Sequence, residues 1–136
     1  MIFDVMKSNE LMIGDWVYDK NIDKNIQVYP TMFSQRFMEN PTAATENYNI
    51  FPIPLTKEDL VKNDFEVQDQ GGGRFDVWNG FGKDNQYDVE VTFYEDDDIY
   101  VKIDGPGAYF TSWHVKYFHQ LQHLLRECGY ERKLVL

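Results

Sequence analysis

Apolar and polar residues alternate cleanly over Tyr87-Asp88-Val89-Glu90-Val91-Thr92-Phe93-Tyr94. That period of two places Val89, Val91 and Phe93 on one face of a strand and Asp88, Glu90 and Thr92 on the other. Glu95 to Asp98 reads as a polar turn, Ile99-Tyr100-Val101-Lys102-Ile103 as the returning strand, and Asp104-Gly105-Pro106-Gly107 as its end. Upstream, Phe65-Glu66-Val67-Gln68 and Arg74-Phe75-Asp76-Val77-Trp78 flank Gly71-Gly72-Gly73, which predicts strand, hairpin loop, strand. Near the start, Leu11, Ile13 and Val17 surround a Gly14-Asp15 bend, which predicts a strand, a sharp bend and a second strand. A polar turn over 20–25 follows, and then Ile26-Gln27-Val28-Tyr29, closed by Pro30. This spacing predicts β structure and is the kind that opens small SH3-like barrels.

The period changes towards the C-terminus. A helix is predicted from a cap at Thr111 or Ser112 to about Cys128, with Gly129 as its stop. Wound at helical spacing, it gathers Tyr117, Phe118, Leu121, Leu124, Leu125 and Cys128 on a core face. Lys116, His119, Gln120, His123 and Glu127 fall on the solvent face. A shorter helix starts at Thr56, whose hydroxyl can accept a first-turn amide, with Glu58 and Asp59 at the positive end of the dipole and Asn63-Asp64 as the stop. Residues 39–49 are loop by composition. Phe51-Pro52-Ile53-Pro54-Leu55 must be extended, its prolines bar a central strand, and Phe51, Ile53 and Leu55 are expected to dock on the core. Leu134-Val135-Leu136 is a terminal strand or apolar tail. The fold class is therefore α+β, mostly antiparallel β with one short and one longer C-terminal helix. The expected division is a β-rich module over 1–50, with an SH3-like barrel as its specific form, and an α+β module over 51–136.

Composition supports a folded chain. The 136 residues include 3 Trp, 9 Tyr and 10 Phe, rings that a disordered chain of similar charge would lack. The net charge of −10 opposes direct binding to nucleic-acid backbones, which depends on cationic contacts to phosphate. The charge is uneven: residues 1–110 hold 9 Lys/Arg against 21 Asp/Glu, whereas residues 111–136 hold 4 against 2 and all three histidines. A lone Cys128 cannot form an internal disulfide, no apolar run is long enough for a bilayer, and the first residues lack the pattern of a signal peptide. The cytoplasm is the expected compartment.

Candidate chemistry is sparse. His119 and His123 have the four-residue spacing of a metal-gripping pair, but Glu127 is the only further ligand nearby and Lys116 opposes a cation, so surface histidines and no metal are expected. Cys128 among leucines reads as a buried, inert thiol. Ser112 and His114 have no helper carboxylate. Glu95 to Asp98 lacks the spacing of a calcium loop, and the triple glycine joins strand to strand, where a phosphate cradle needs a strand leading into a helix. No catalytic residues and no cofactor are expected. Binding residues are sought on the polar face of the last helix, at His119, Gln120, Gln122 and His123, and in the loop around Trp78 and Phe81, because aromatic side chains on loops anchor interfaces.

Three blocks carry a resemblance: Met6-Lys7-Ser8-Asn9-Glu10-Leu11-Met12-Ile13-Gly14-Asp15-Trp16-Val17, Pro52-Ile53-Pro54-Leu55-Thr56-Lys57-Glu58-Asp59-Leu60 and Val115-Lys116-Tyr117-Phe118-His119-Gln120-Leu121-Gln122-His123-Leu124. In this order they resemble a group of small uncharacterised proteins encoded in prophages and mobile elements of gut bacteria, with NELxIGNWV, PIPLTxExL and YVHQLQNL motifs. The group usually starts at the equivalent of Met6, so Met1 to Val5 looks like an extension, and it usually has Gly-Phe where Asp64-Phe65 stands here. The resemblance implies an accessory protein and brings no assigned activity. The functional expectation is a non-enzymatic, cytoplasmic phage or mobile-element protein that binds a host or phage protein. The alternatives are a small-ligand or nucleotide-binding module that sequesters or cleaves a signal, using Arg74 beside the triple glycine and the histidines, and an acidic DNA mimic using Asp88, Glu90 and the acidic cluster over 95–98.

Overall fold

The computed structural model describes residues 6–32, 41–79, 87–105, 108–130 and 133–136. They form an α+β fold of mostly antiparallel strands in two sheets, with few helices and one at the C-terminal end. The chain divides into two compact units, Met1–Pro54 with Tyr117–His119, and Leu55–Lys116 with Gln120–Leu136.

In the first unit β1 (Trp16–Asp19) lies between β2 (Lys24–Gln27) and β3 (Ile50–Pro52), antiparallel to both. The Gly14-Asp15 bend falls where the pattern placed it. Gly14 N–H donates to the Val28 carbonyl and Val28 N–H to the Asp15 carbonyl, each at 2.8 Å. The residues before the bend are not a strand: Ser8–Glu10 is a 3₁₀ turn that delivers Leu11 to the core. That core comprises Met6, Leu11, Val17, Val28, Ile50 and Met32 of the single-turn α1 (Pro30–Met32), with Ile26 and Tyr48 against it. The described strands of this unit form an open three-stranded sheet, so the finer expectation of an SH3-like barrel is not what they show. The proline-bracketed segment does make a short strand, but at a sheet edge, where Pro52 can be tolerated without its N–H. Phe51, Ile53 and Leu55 are all buried, as expected of side chains that dock.

The second unit opens with α2 (Lys57–Lys62), capped at Thr56, whose Oγ1 accepts from Asp59 N–H at 3.2 Å. A meander follows: β4 (Glu66–Gly71), β5 (Arg74–Trp78), β6 (Asp88–Phe93), β7 (Ile99–Gly105) and β8 (Ala108–Ser112), neighbours in sequence being neighbours in the sheet. Gly72 and Gly73, at φ 63° and 80°, make the β4–β5 turn in the left-handed region that suits a tight hairpin. The alternation read from sequence holds. Val77, Val89, Val91, Val101 and Ile103 are buried on one face, each contributing roughly 1.5–3 kcal/mol relative to exposure. Leu60, Phe65, Ile99, Leu121, Leu125, Tyr130 and Leu134 are among the other buried side chains of this unit.

The last helix is shorter than its pattern predicts. Thr111 and Ser112 do not cap it. They pair with Lys102 and Val101 as part of β8, and α3 runs only over Phe118–Glu127. β8 is the edge of the sheet, and the pairing of its β7-facing N–H and C=O groups outweighs a local capping signal. The stop at Gly129 is as read: Gly129 N–H reaches the Arg126 carbonyl at 3.1 Å and Tyr130 N–H the Leu125 carbonyl at 2.8 Å, the two bonds of a Schellman ending.

Candidate functional site

The face of the five-stranded sheet opposite the buried valines carries the concentration of chemistry in this protein. Strand alternation puts Arg74, Asp76 and Trp78 of β5 there, with Glu90 and Thr92 of β6, Tyr100, Lys102 and Asp104 of β7, and Tyr109 and Thr111 of β8. Asp76 organises one end. Its Oδ1 accepts from Thr92 Oγ1 at 3.0 Å and faces Arg74 Nε at 3.4 Å. This bond explains how Thr92, on the outer face, is nonetheless buried.

Arg74 also lies over the Tyr94 ring, 5.5 Å from its centroid. Trp113 sits beside Tyr94 at 5.4 Å and Tyr100 at 4.6 Å between ring centroids. The four side chains form an aromatic patch with a cation at its edge. Trp113 remains 56 % exposed, and Tyr109, across from Asp104 towards the opposite end of β8, is 67 % exposed.

At the other end of the face is a pocket of about 220 Å³, lined by Trp78, Asn79, Asp88, Glu90, Lys102 and Asp104. Its back is held by Asn79, whose N–H donates to the Val89 carbonyl at 3.1 Å and whose Nδ2 donates to Tyr130 Oη at 2.8 Å. The sheet register sets Asp88 directly across from Asp104, and Glu90 between Trp78 and Lys102.

Of the residues singled out from sequence, Trp78 belongs to this face and lines the pocket. Phe81 lies outside the described residues. His119 is a correction: expected on a solvent face, it is only 3 % exposed and stacks on Tyr117 with the rings 5.9 Å apart and 5° from parallel. The first turn of α3 belongs to the first unit, where Phe118 N–H donates to the Ile53 carbonyl at 2.8 Å. Burial around that turn is set by this packing and not by the apolar stripe of the helix. Gln120 is half-buried and its Oε1 accepts from Lys116 N–H at 2.8 Å, while Gln122 and His123 are half-exposed. None of the helix residues lines the pocket.

Cys128 is another correction. It falls just beyond α3 and is half-buried, with the thiol pushed up from its ordinary range by burial first and the Glu127 charge second. That shift disfavours the reactive thiolate. Ser112 is committed to its own turn, its Oγ accepting from His114 N–H at 3.0 Å. Among the described residues no three His, Cys, Asp or Glu side chains gather as a metal site, and no helix is long and apolar enough to cross a membrane.

Sequence reasoning missed Tyr94, Tyr100, Trp113 and Lys102. Alternation over 87–103 held the signal for Tyr100 and Lys102, since both share parity with the outer face. Trp113 was hidden because its segment read as the start of a helix. No protein-family model, no curated protein and no solved structure matches this chain.

Proposed function

We propose that this chain is a non-enzymatic accessory protein of a phage or mobile element that works by binding another protein through the outer face of its five-stranded sheet. The observation that carries the reading is the aromatic patch: Trp113 packed on Tyr94 and Tyr100, yet more than half exposed. Trp, Tyr and Arg dominate the energetics of protein interfaces, and a sheet presents them on a rigid frame with little conformational entropy left to lose. The mobile-element origin rests on the three sequence blocks and their order.

A phosphate-bearing small ligand finds less support on this face. Arg74 is already engaged by Asp76 and Tyr94, and the pocket offers three carboxylates against one lysine. A DNA-mimic role is weakened by the aromatic patch and by Lys102, which interrupt the acidic stripe. Affinity capture with the full chain as bait, from a lysate of the bacterium that carries the gene, tests the proposal. A stoichiometric protein should be retained by wild type and lost with Trp113→Ala. Thermal stabilisation by nucleotides or divalent metals, with no captured protein, would displace this reading in favour of ligand sequestration.

A further inference from the structure

The pocket beside the patch has a composition that selects its occupant. Trp78 supplies an indole wall, and the rest of the lining includes three carboxylates, Asp88, Glu90 and Asp104, and a single ammonium, Lys102. Among the described residues none of those carboxylates enters an ion pair. Asp88 and Asp104 are direct cross-strand partners, an arrangement that is unfavourable when both are charged. Nothing in the burial pattern of the sheet requires it, because both residues point away from the buried valines. A volume of about 220 Å³ is below the range of roughly 300–1,000 Å³ usual for small-molecule sites. It suits one amino-acid side chain.

We propose that this pocket receives an arginine side chain from a basic segment of the partner protein. Guanidinium is planar, forks onto carboxylates and stacks on indole, so it answers both the carboxylate and the tryptophan walls, which a compact ammonium does less well. The net charge of −10 on the whole chain steers a basic segment towards this face. The aromatic patch on the same face then holds the apolar residues next to that arginine. The inference rests on the protein-binding reading and names the chemistry of the partner.

The test is titration of the full chain with acetyl-Gly-Arg-Gly-amide, followed by the indole N–H resonance of Trp78, assigned by its loss in Trp78→Phe. A saturable shift in the millimolar range is expected, at least tenfold weaker with the isosteric, uncharged citrulline peptide and in the Asp88→Asn/Asp104→Asn variant. That variant should melt at or above the wild-type temperature, since it relieves an opposed pair of like charges. No saturable shift, an equal response to citrulline, or a lower melting temperature in the variant would overturn the proposal. A partner captured equally well by the Asp88→Asn/Asp104→Asn variant but lost with Trp113→Ala would also sink it, while leaving the protein-binding reading standing.

Discussion

The side-chain amide of Asn63 pairs with the backbone of Val135, 72 residues away, as a neighbouring strand would. Oδ1 accepts from Val135 N–H at 2.7 Å, and Nδ2 donates to the Val135 carbonyl at 2.9 Å and to the Asp59 carbonyl at 2.7 Å. One side chain therefore closes the end of α2 and ties down the chain end that carries the buried Leu134. Asn63→Ala leaves the Val135 amide and carbonyl without these partners. The expected loss is about 2 kcal/mol, read as a lower midpoint in urea with an unchanged slope. Asn63→Asp should not rescue it, because a carboxylate cannot donate to the two carbonyls.

The next residue is strained. Asp64 has φ 67° at the position after the cap of α2, with Asp64 N–H on the Val61 carbonyl at 3.0 Å and Phe65 N–H on the Leu60 carbonyl at 3.1 Å. This is the same Schellman ending that α3 completes with Gly129. Glycine adopts that conformation without the Cβ conflict. Asp64→Gly should raise stability by about 0.5–1 kcal/mol, partly offset by the greater freedom of the unfolded chain. Thermal melts of the two proteins side by side check it, and a lower melting temperature for the glycine variant contradicts the account.

Gly105 at the end of β7 is kept small by Tyr87. A Cβ there would collide with Tyr87 Cδ1 and Cε1, a clash that no side-chain flexing short of moving the ring removes. Tyr87 is itself held edge-on to Tyr130, with ring centroids 5.8 Å apart. Gly105→Ala should cost about 1–3 kcal/mol by overpacking. In a double-mutant cycle with Tyr87→Ala the combined loss should be smaller than the sum, because one change makes room for the other.

The β1–β2 turn contains a titratable pair. Tyr18 Oη donates to Asp23 Oδ1, and this hydrogen bond is the main reason the phenol is held above its ordinary range, with burial and then the charges of Asp23 and Asp19 adding to it. The folded chain thus holds the phenolic proton more tightly than the unfolded chain. The stability this contributes is present below about pH 10 and is lost as pH rises through the folded value. Near-ultraviolet titration should show one tyrosine of wild type ionising at higher pH than in Asp23→Asn. Asparagine tolerates the positive φ of position 23, so the turn itself should survive the change.

Much of the second unit was legible because its signals are local. Alternation over 87–103 specifies the β6–β7 hairpin and its buried face, and the Thr56 cap and Gly129 stop each depend on a few adjacent residues. The candidate site was legible in part: Trp78 and the acidic positions Asp88 and Glu90 could be placed, but not what lies beside them. His119 illustrates the limit. Helical periodicity assigned it to solvent, and contacts made by the first turn of α3, outside that periodicity, bury it. Trp113 illustrates another, since only the pairing of β8 with β7 brings it against Tyr94 and Tyr100.

By itself, then, the sequence determined the antiparallel hairpins, the ends of two helices and the α+β class, since period, capping and turn chemistry act over less than a dozen residues. Only the tertiary structure decided which strands are neighbours, where α3 begins, and that Asn63 finds Val135. It also decided that an indole, three carboxylates and a lysine share one pocket. Those outcomes depend on closing long loops and on competition among partners for the same backbone groups, and no short window of residues contains both sides of that competition.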